Sequence, residues 1–267
     1  MTRQSATPGV VDLVGSWDGQ VVATSVHAGH GLRPEIARAM ILDEAVRLRE
    51  EDPHTDVIAA RIPARVLTGR SRFEVDLNRP RHEAVYRSPD DCWGLEVWAD
   101  PPLSDDLTQR SLAEYDEFYD VLGQQLDAVA ARGPFVLLDI HSYNHRRNGP
   151  DAEPEAVEDN PEVNLGTGSL DKGRFGPLVE DFTATLSHQE VGGSRLDVRE
   201  NVRFEGRAVA QWVHDRYPRV GCCLALEFKK TFMDEWTAAV DGDRVEQAAR
   251  AVAATVPVLE RQLGALT

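Results

Sequence analysis

Phe135-Val-Leu-Leu-Asp-Ile-His-Ser142 decides how the rest of the chain is read. Its first six residues form a run of strand length that is apolar towards both sides. Such a run suits the middle of a sheet covered on two faces. It follows Gly133-Pro134, which stops a long helical stretch from Ser104 to Arg132. There Ser104 is placed to cap an acidic first turn. A second run of the same kind, Val220-Gly-Cys-Cys-Leu-Ala-Leu-Glu-Phe228, is another buried-strand candidate. Working outward, Gly19–Val26 reads as a short strand that ends at a histidine-bearing loop. Pro34 to about Glu51 reads as a helix, with Ile36, Met40, Ile41, Ala45 and Leu48 at helical spacing. Ala64–Thr68 and Arg72–Leu77 read as two strands around a Thr-Gly-Arg-Ser turn. Residues 143–173, rich in Asn, Gly, Pro and acid, read as a long loop that could close over a site. Helices near 174–188 and 208–216 follow, and the last 25 residues or so form an Ala- and Val-rich helix. Strands interleaved with helices predict one α/β domain over residues 1–267, with a mixed, mostly parallel sheet flanked by helices.

The 267 residues carry a formal net charge of −16, with 42% hydrophobic and 28% charged residues. That balance belongs to globular proteins. The negative charge argues against a nucleic-acid or anionic-membrane partner. No apolar run approaches the roughly 20 residues that cross a bilayer, and Met1-Thr-Arg-Gln-Ser-Ala-Thr-Pro-Gly9 has no hydrophobic stretch of signal-peptide type. Three cysteines, two of them adjacent at Cys222 and Cys223, make no disulfide framework. The expectation is a cytoplasmic protein.

In open α/β sheets functional groups gather at the carboxyl ends of strands. This picks out His27, His141 and Glu227. His27 and His30 lie three apart on a Gly-rich loop, and neutral imidazole is a common zinc ligand. In Asp139-Ile-His141 the alternation of a strand puts both side chains on one face, so Asp139 could orient the imidazole. A third ligand could be Asp56, in His54-Thr-Asp56, or His30. Arg70-Ser-Arg72-Phe-Glu-Val-Asp76-Leu-Asn78-Arg79-Pro80 concentrates arginines that suit an anion, although structural ion pairs to Glu74 or Asp76 would use the same residues. Glu227, at the end of an apolar strand before Lys229 and Lys230, could be a general base or a structural carboxylate.

The order of these motifs resembles the N-formylglutamate amidohydrolase family. The matching pieces are His27-Ala-Gly, Thr55-Asp56, Ser71-Arg72-Phe-Glu-Val-Asp76-Leu-Asn78-Arg79-Pro80, Asp139-Ile-His141-Ser142, Asn164-Leu-Gly-Thr167 and Leu226-Glu227. The resemblance implies a fold similar to zinc carboxypeptidases and aspartoacylases. It also implies one catalytic Zn2+ held by His27, His141 and a carboxylate, for which Asp56 is the choice. Asn78 and Arg79 would grip the substrate carboxylate, with Arg72 assisting and Asn164 among the substrate-binding residues. Glu227 would be the base. Val26 stands where the family pattern has Pro, and His30 stands where carboxypeptidases place a glutamate ligand. The segment between Asp56 and Asp76 is short for the family.

The implied activity is hydrolysis of the amide of an N-formyl or other N-acyl amino acid, a small-molecule substrate. Two alternatives stay open: a carboxypeptidase-like or deacylase enzyme on another N-acyl amino acid or peptide end, and a metal- or anion-binding protein whose catalytic site has decayed. The oligomeric state is not fixed by the sequence.

Overall fold

The computed structural model of the protein describes residues 10–266. The opening stretch read as lacking a leader lies outside the described residues. In chain order the first half holds β1 (Asp12–Gly15), β2 (Val21–Ser25), α1 (Pro34–Ala39), α2 (Glu44–Glu50), α3 (Thr55–Ile58), β3 (Ala64–Leu67) and α4 (Asp105–Ala130). Then come β4 (Phe135–Tyr143), β5 (Val163–Gly166), α5 (Lys172–Ser187), a small hairpin of β6 (Glu190–Val191) and β7 (Ser194–Arg195), and β8 (Val198–Glu200). The chain continues with α6 (Ala208–Arg216), β9 (Gly221–Lys229), α7 (Gly242–Ala254) and α8 (Val256–Gly264).

Seven strands form one sheet in the order β1-β3-β2-β4-β9-β5-β8. The four central strands β3, β2, β4 and β9 are mutually parallel. β1 runs antiparallel at one edge, and β5 runs antiparallel to β9. This is the mixed, mostly parallel α/β sheet expected.

Alternation along β4 divides the core. Phe135 and Leu137 pack with Phe118, Leu122 and Leu126 of α4 and Val209 and Val213 of α6. Val136, Leu138 and Ile140 pack with Phe182 of α5, Val252 of α7 and Leu259 of α8 on the other face. Continued past Leu137, the same parity carries Asp139 and His141 to the α4–α6 side.

Several segments differ from expectation. The helix over 34–51 is two helices, because Met40 bridges to Trp98 and Asp43 restarts the helix by accepting from the Ala45 and Val46 amides. Arg72–Leu77 is a series of turns, with the Glu74 and Val75 amides bonded to the Ser71 carbonyl. Residues 143–173 are not one loop: β4 runs to Tyr143, and β5 sits inside the segment, paired with β9. The C-terminal helix breaks at Thr255, with Pro257 in the first turn of α8. Ser104 stands at the N-cap of α4, but its side chain makes no capping bond.

Candidate active site

β2 and β4 are parallel neighbours, so the histidines that follow or end them meet at one edge of the sheet. The rings of His27 and His141 lie 4.9 Å apart between centroids, tilted by 61°. Asp52 comes in from the end of α2, its amide held by the His27 carbonyl at 2.9 Å. One donor atom each from His27, Asp52 and His141 lies within 4.8 Å of the others, and all three residues are buried. Asp52 Oδ2 is 3.3 Å from His27 Nδ1 and 3.0 Å from His141 Nδ1. Burial works against the Asp52 carboxylate, but its bonds to His141 and His27 outweigh that and hold its pKa well below the usual range.

Each imidazole has a buried carboxylate at its far nitrogen. His27 Nε2 donates to Asp76 Oδ1 at 2.7 Å. His141 Nε2 lies 3.0 Å from Asp139 Oδ2 and 3.1 Å from the Asn78 carboxamide nitrogen. Asp76 is a hub: it also accepts from Tyr86 Oη (2.5 Å), Arg72 Nη2 (2.8 Å) and the Asn78 amide (3.0 Å). Burial would raise the Asp76 pKa, yet the Arg72 and His27 charges keep it well depressed. Asp139 is fully buried, and among the described residues neither of its oxygens makes a hydrogen bond of good geometry. Two imidazoles, one shared carboxylate and a carboxylate behind each ring form a donor set that fits a divalent cation.

The carboxylate that joins the histidines is therefore Asp52, not Asp56. Asp56 lies four residues further on, in the first turn of α3, where an acid faces the positive end of the helix. His30 also stands outside the group. Its Nδ1 bonds Glu51 at 2.5 Å and its Nε2 meets Arg47 at 2.8 Å. The Glu51 bond, against the opposing effect of burial, raises its pKa.

Glu227 pairs in register with His141 across β4 and β9, on the same cleft. No hydrogen bond or ion pair of its carboxylate occurs among the described residues. Burial, partly offset by His141 and reinforced by Asp52 and Asp139, pushes its pKa up to about 7.

The cleft is also lined by Arg72, Trp93, Arg147, Phe204, Arg207 and Lys230. Arg72 spends one nitrogen on Asp76 and stacks over Trp93 at 4.9 Å. Arg207, exposed at the start of α6, has no side-chain hydrogen bond or ion pair among the described residues. Arg79 is not in the lining: it bonds the Asp91 carbonyl at 2.7 Å and stacks over Tyr86 at 5.0 Å. Asn78 touches His141, and its Oδ1 accepts from the Val209 amide in the first turn of α6. The Asn164 carboxamide is spent on the backbone of Arg203 and Phe204. Sequence reading missed Asp52 and Arg207. The Asp52-Pro53 pair that closes α2 was the available signal for the first, since the residue before proline is driven out of the helix. No motif marks the second.

The N-formylglutamate amidohydrolase family model matches residues 19–233. Among solved structures, N-formylglutamate amidohydrolase from Ralstonia eutropha JMP134 is similar, at 16% identity and a TM-score of 0.73, over 96% of this chain and 98% of that one. The gene product Atu2144 from Agrobacterium tumefaciens shares 18% identity at a TM-score of 0.63, over 96% of each chain. Comparison with curated proteins finds no match.

Proposed function

Because the chain belongs to the N-formylglutamate amidohydrolase family and is a hydrolase of amide bonds, we propose that it removes the acyl group from an N-formyl or other N-acyl amino acid at a zinc centre held by His27, Asp52 and His141. The observation that carries this reading is the convergence of those three buried donors on one point beside Glu227. Zinc held there would supply a Lewis acid for the amide carbonyl and would lower the pKa of a water from about 15.7 to about 7.

The chain's own residues do the rest. Asp76 fixes the His27 ring through its Nε2, and Asp139 stands 3.0 Å behind His141 Nε2, with each Nδ1 facing Asp52. Glu227, with its carboxylate unengaged, takes the proton of the attacking water and delivers it to the nitrogen of the leaving amine. Arg207, whose guanidinium has no hydrogen bond or ion pair among the described residues, grips the substrate carboxylate, with Arg147 and Arg72 adding positive charge around it. A guanidinium matches a carboxylate through two parallel hydrogen bonds, so binding there also orients the amide. In this assignment Arg79 supports Asp76, from which its Nε stands 3.5 Å, and Asn164 fixes the segment leading to Arg207.

The test is metal removal and return. Protein stripped with a chelator is expected to lose hydrolysis of N-formyl and N-acetyl amino acids and to regain it when zinc is added. Undiminished hydrolysis by the stripped protein would overturn the zinc centre. Activity confined to peptide ends would overturn the substrate class.

A further inference from the structure

Lys230 follows β9 directly, and its side chain is 2% exposed. Among the described residues its ammonium donates to three oxygens and to no carboxylate. These are the carbonyls of Arg49 and Glu51, both at 2.6 Å, and Asn144 Oδ1 at 2.9 Å. Its backbone amide bonds the Tyr143 carbonyl at 3.0 Å. Arg49 and Glu51 stand at the C-terminal end of α2, where carbonyls lack partners within the helix and a cation is favoured. Glu51 is the residue before Asp52. Asn144 is the residue after β4, which carries His141, and Glu227 lies three residues before Lys230 on β9. One buried ammonium thus joins the three segments that bring the carboxylate, the second imidazole and the proposed base together.

We infer that Lys230 is the positioning residue of the metal centre: its ammonium ties the Arg49–Asp52 turn to the ends of β4 and β9 and so sets where the Asp52 carboxylate meets the two imidazoles. The inference rests on the proposed metal centre. Without the ammonium, three acceptors, two of them buried, lose this donor, and buried groups are costly to leave unpaired. The Arg49–Asp52 turn then keeps the Asp52 amide bond to the His27 carbonyl, the Thr55 hydroxyl on the Asp52 carbonyl and the Glu51 side chain on His30 and Ser71, and loses its ammonium tie to the ends of β4 and β9. Metal affinity is the sensitive measure, because partners behind the ligands change it about 10–100-fold.

The experiment titrates zinc into metal-free full-length protein against a chromophoric chelator and records the absorption spectrum of the cobalt-loaded form. Lys230→Met is expected to weaken zinc binding about 10–100-fold and to alter the cobalt spectrum. Lys230→Arg restores charge but not three donors on one nitrogen, and is expected to stay weakened. Asn144→Ala removes a single arm and is expected to give a smaller loss of the same sign. Leu259→Ala, a core truncation on the opposite face of the sheet, should lower stability and leave metal affinity unchanged.

Wild-type affinity and spectrum in Lys230→Met would overturn the inference, as would full affinity in Lys230→Arg or an equal loss in Leu259→Ala. If Lys230→Met does not fold, Asn144→Ala decides, and wild-type behaviour there overturns the inference. If the wild-type protein binds no metal, or binds it equally well as Asp52→Ala, the metal centre itself falls and this role falls with it.

Discussion

Glutamine in place of Glu227 keeps the shape of the side chain and removes its capacity to take a proton. Glu227→Gln is therefore expected to retain zinc while kcat drops about 10²–10⁴-fold, the range for a positioned acid–base group. Turnover near wild type, with metal content checked in the same sample, would remove Glu227 from that role. Arg207→Ala should act differently, chiefly raising KM. Hydrogen bonds to a charged group contribute about 1.5–3 kcal/mol, hence a rise of roughly ten- to a hundredfold. Glu227 could be singled out because it ends an apolar run, and His27 and His141 for the same reason. Asp52 could not. In an acidic chain, Asp52 and Asp56 flank the same short turn. Which of them reaches the histidines is set by the Asp52 amide bond to the His27 carbonyl, a contact between residues 25 apart.

At the level of elements, the loop after β2 is held by a close approach of backbones. A Cβ on Gly29 would lie 2.4–2.6 Å from backbone atoms of Gly69 and Arg70, so one chain would have to move. Gly31 pairs with the same stretch, its amide on the Gly69 carbonyl and its carbonyl on the Ser71 amide, both at 2.9 Å. Gly29→Ala is expected to cost about 1–3 kcal/mol, the usual cost of overpacking, and to weaken zinc binding by displacing His27. Urea unfolding and metal titration of the same variant check both parts; unchanged values in both would show that the loop yields freely. The long buried strands β4 and β9 were legible because apolar runs of that length have few other uses. Arg72–Leu77 was not. Its Phe73, Val75 and Leu77 alternate with polar residues as a strand would, but Glu74 and Asp76 are buried too. Glu74 is bound by Arg33, and Asp76 by His27, Arg72 and Tyr86. Periodicity cannot distinguish a polar residue facing water from one facing a buried partner. β1 and β5, four residues each, went unread, although β3 is as short.

For the whole molecule, an ion bound to the folded state and not to the unfolded chain adds stability by mass action. Zinc at 100 times its dissociation constant contributes about 2.7 kcal/mol. At about 2–4 °C per kcal/mol for a domain of this size, chelation should lower Tm by roughly 5–11 °C. Calorimetry with zinc and with chelator checks this, and coincident transitions would argue against a resident ion. Composition gave the broad class of the molecule, and the alternation of strand and helix gave its layers. The order of the seven strands was out of reach, since β5 and β8 join the sheet through contacts distant in sequence.

Cys222 and Cys223 are neighbours in the chain, yet the pleat of β9 sends one thiol into each layer. The thickness of the sheet stands between them, so an oxidant cannot couple the pair in the native protein. An alkylating probe meets each sulfur only when the helices covering that side lift away. The two adjacent thiols thus act as separate clocks for the loosening of the chemical face and of its reverse.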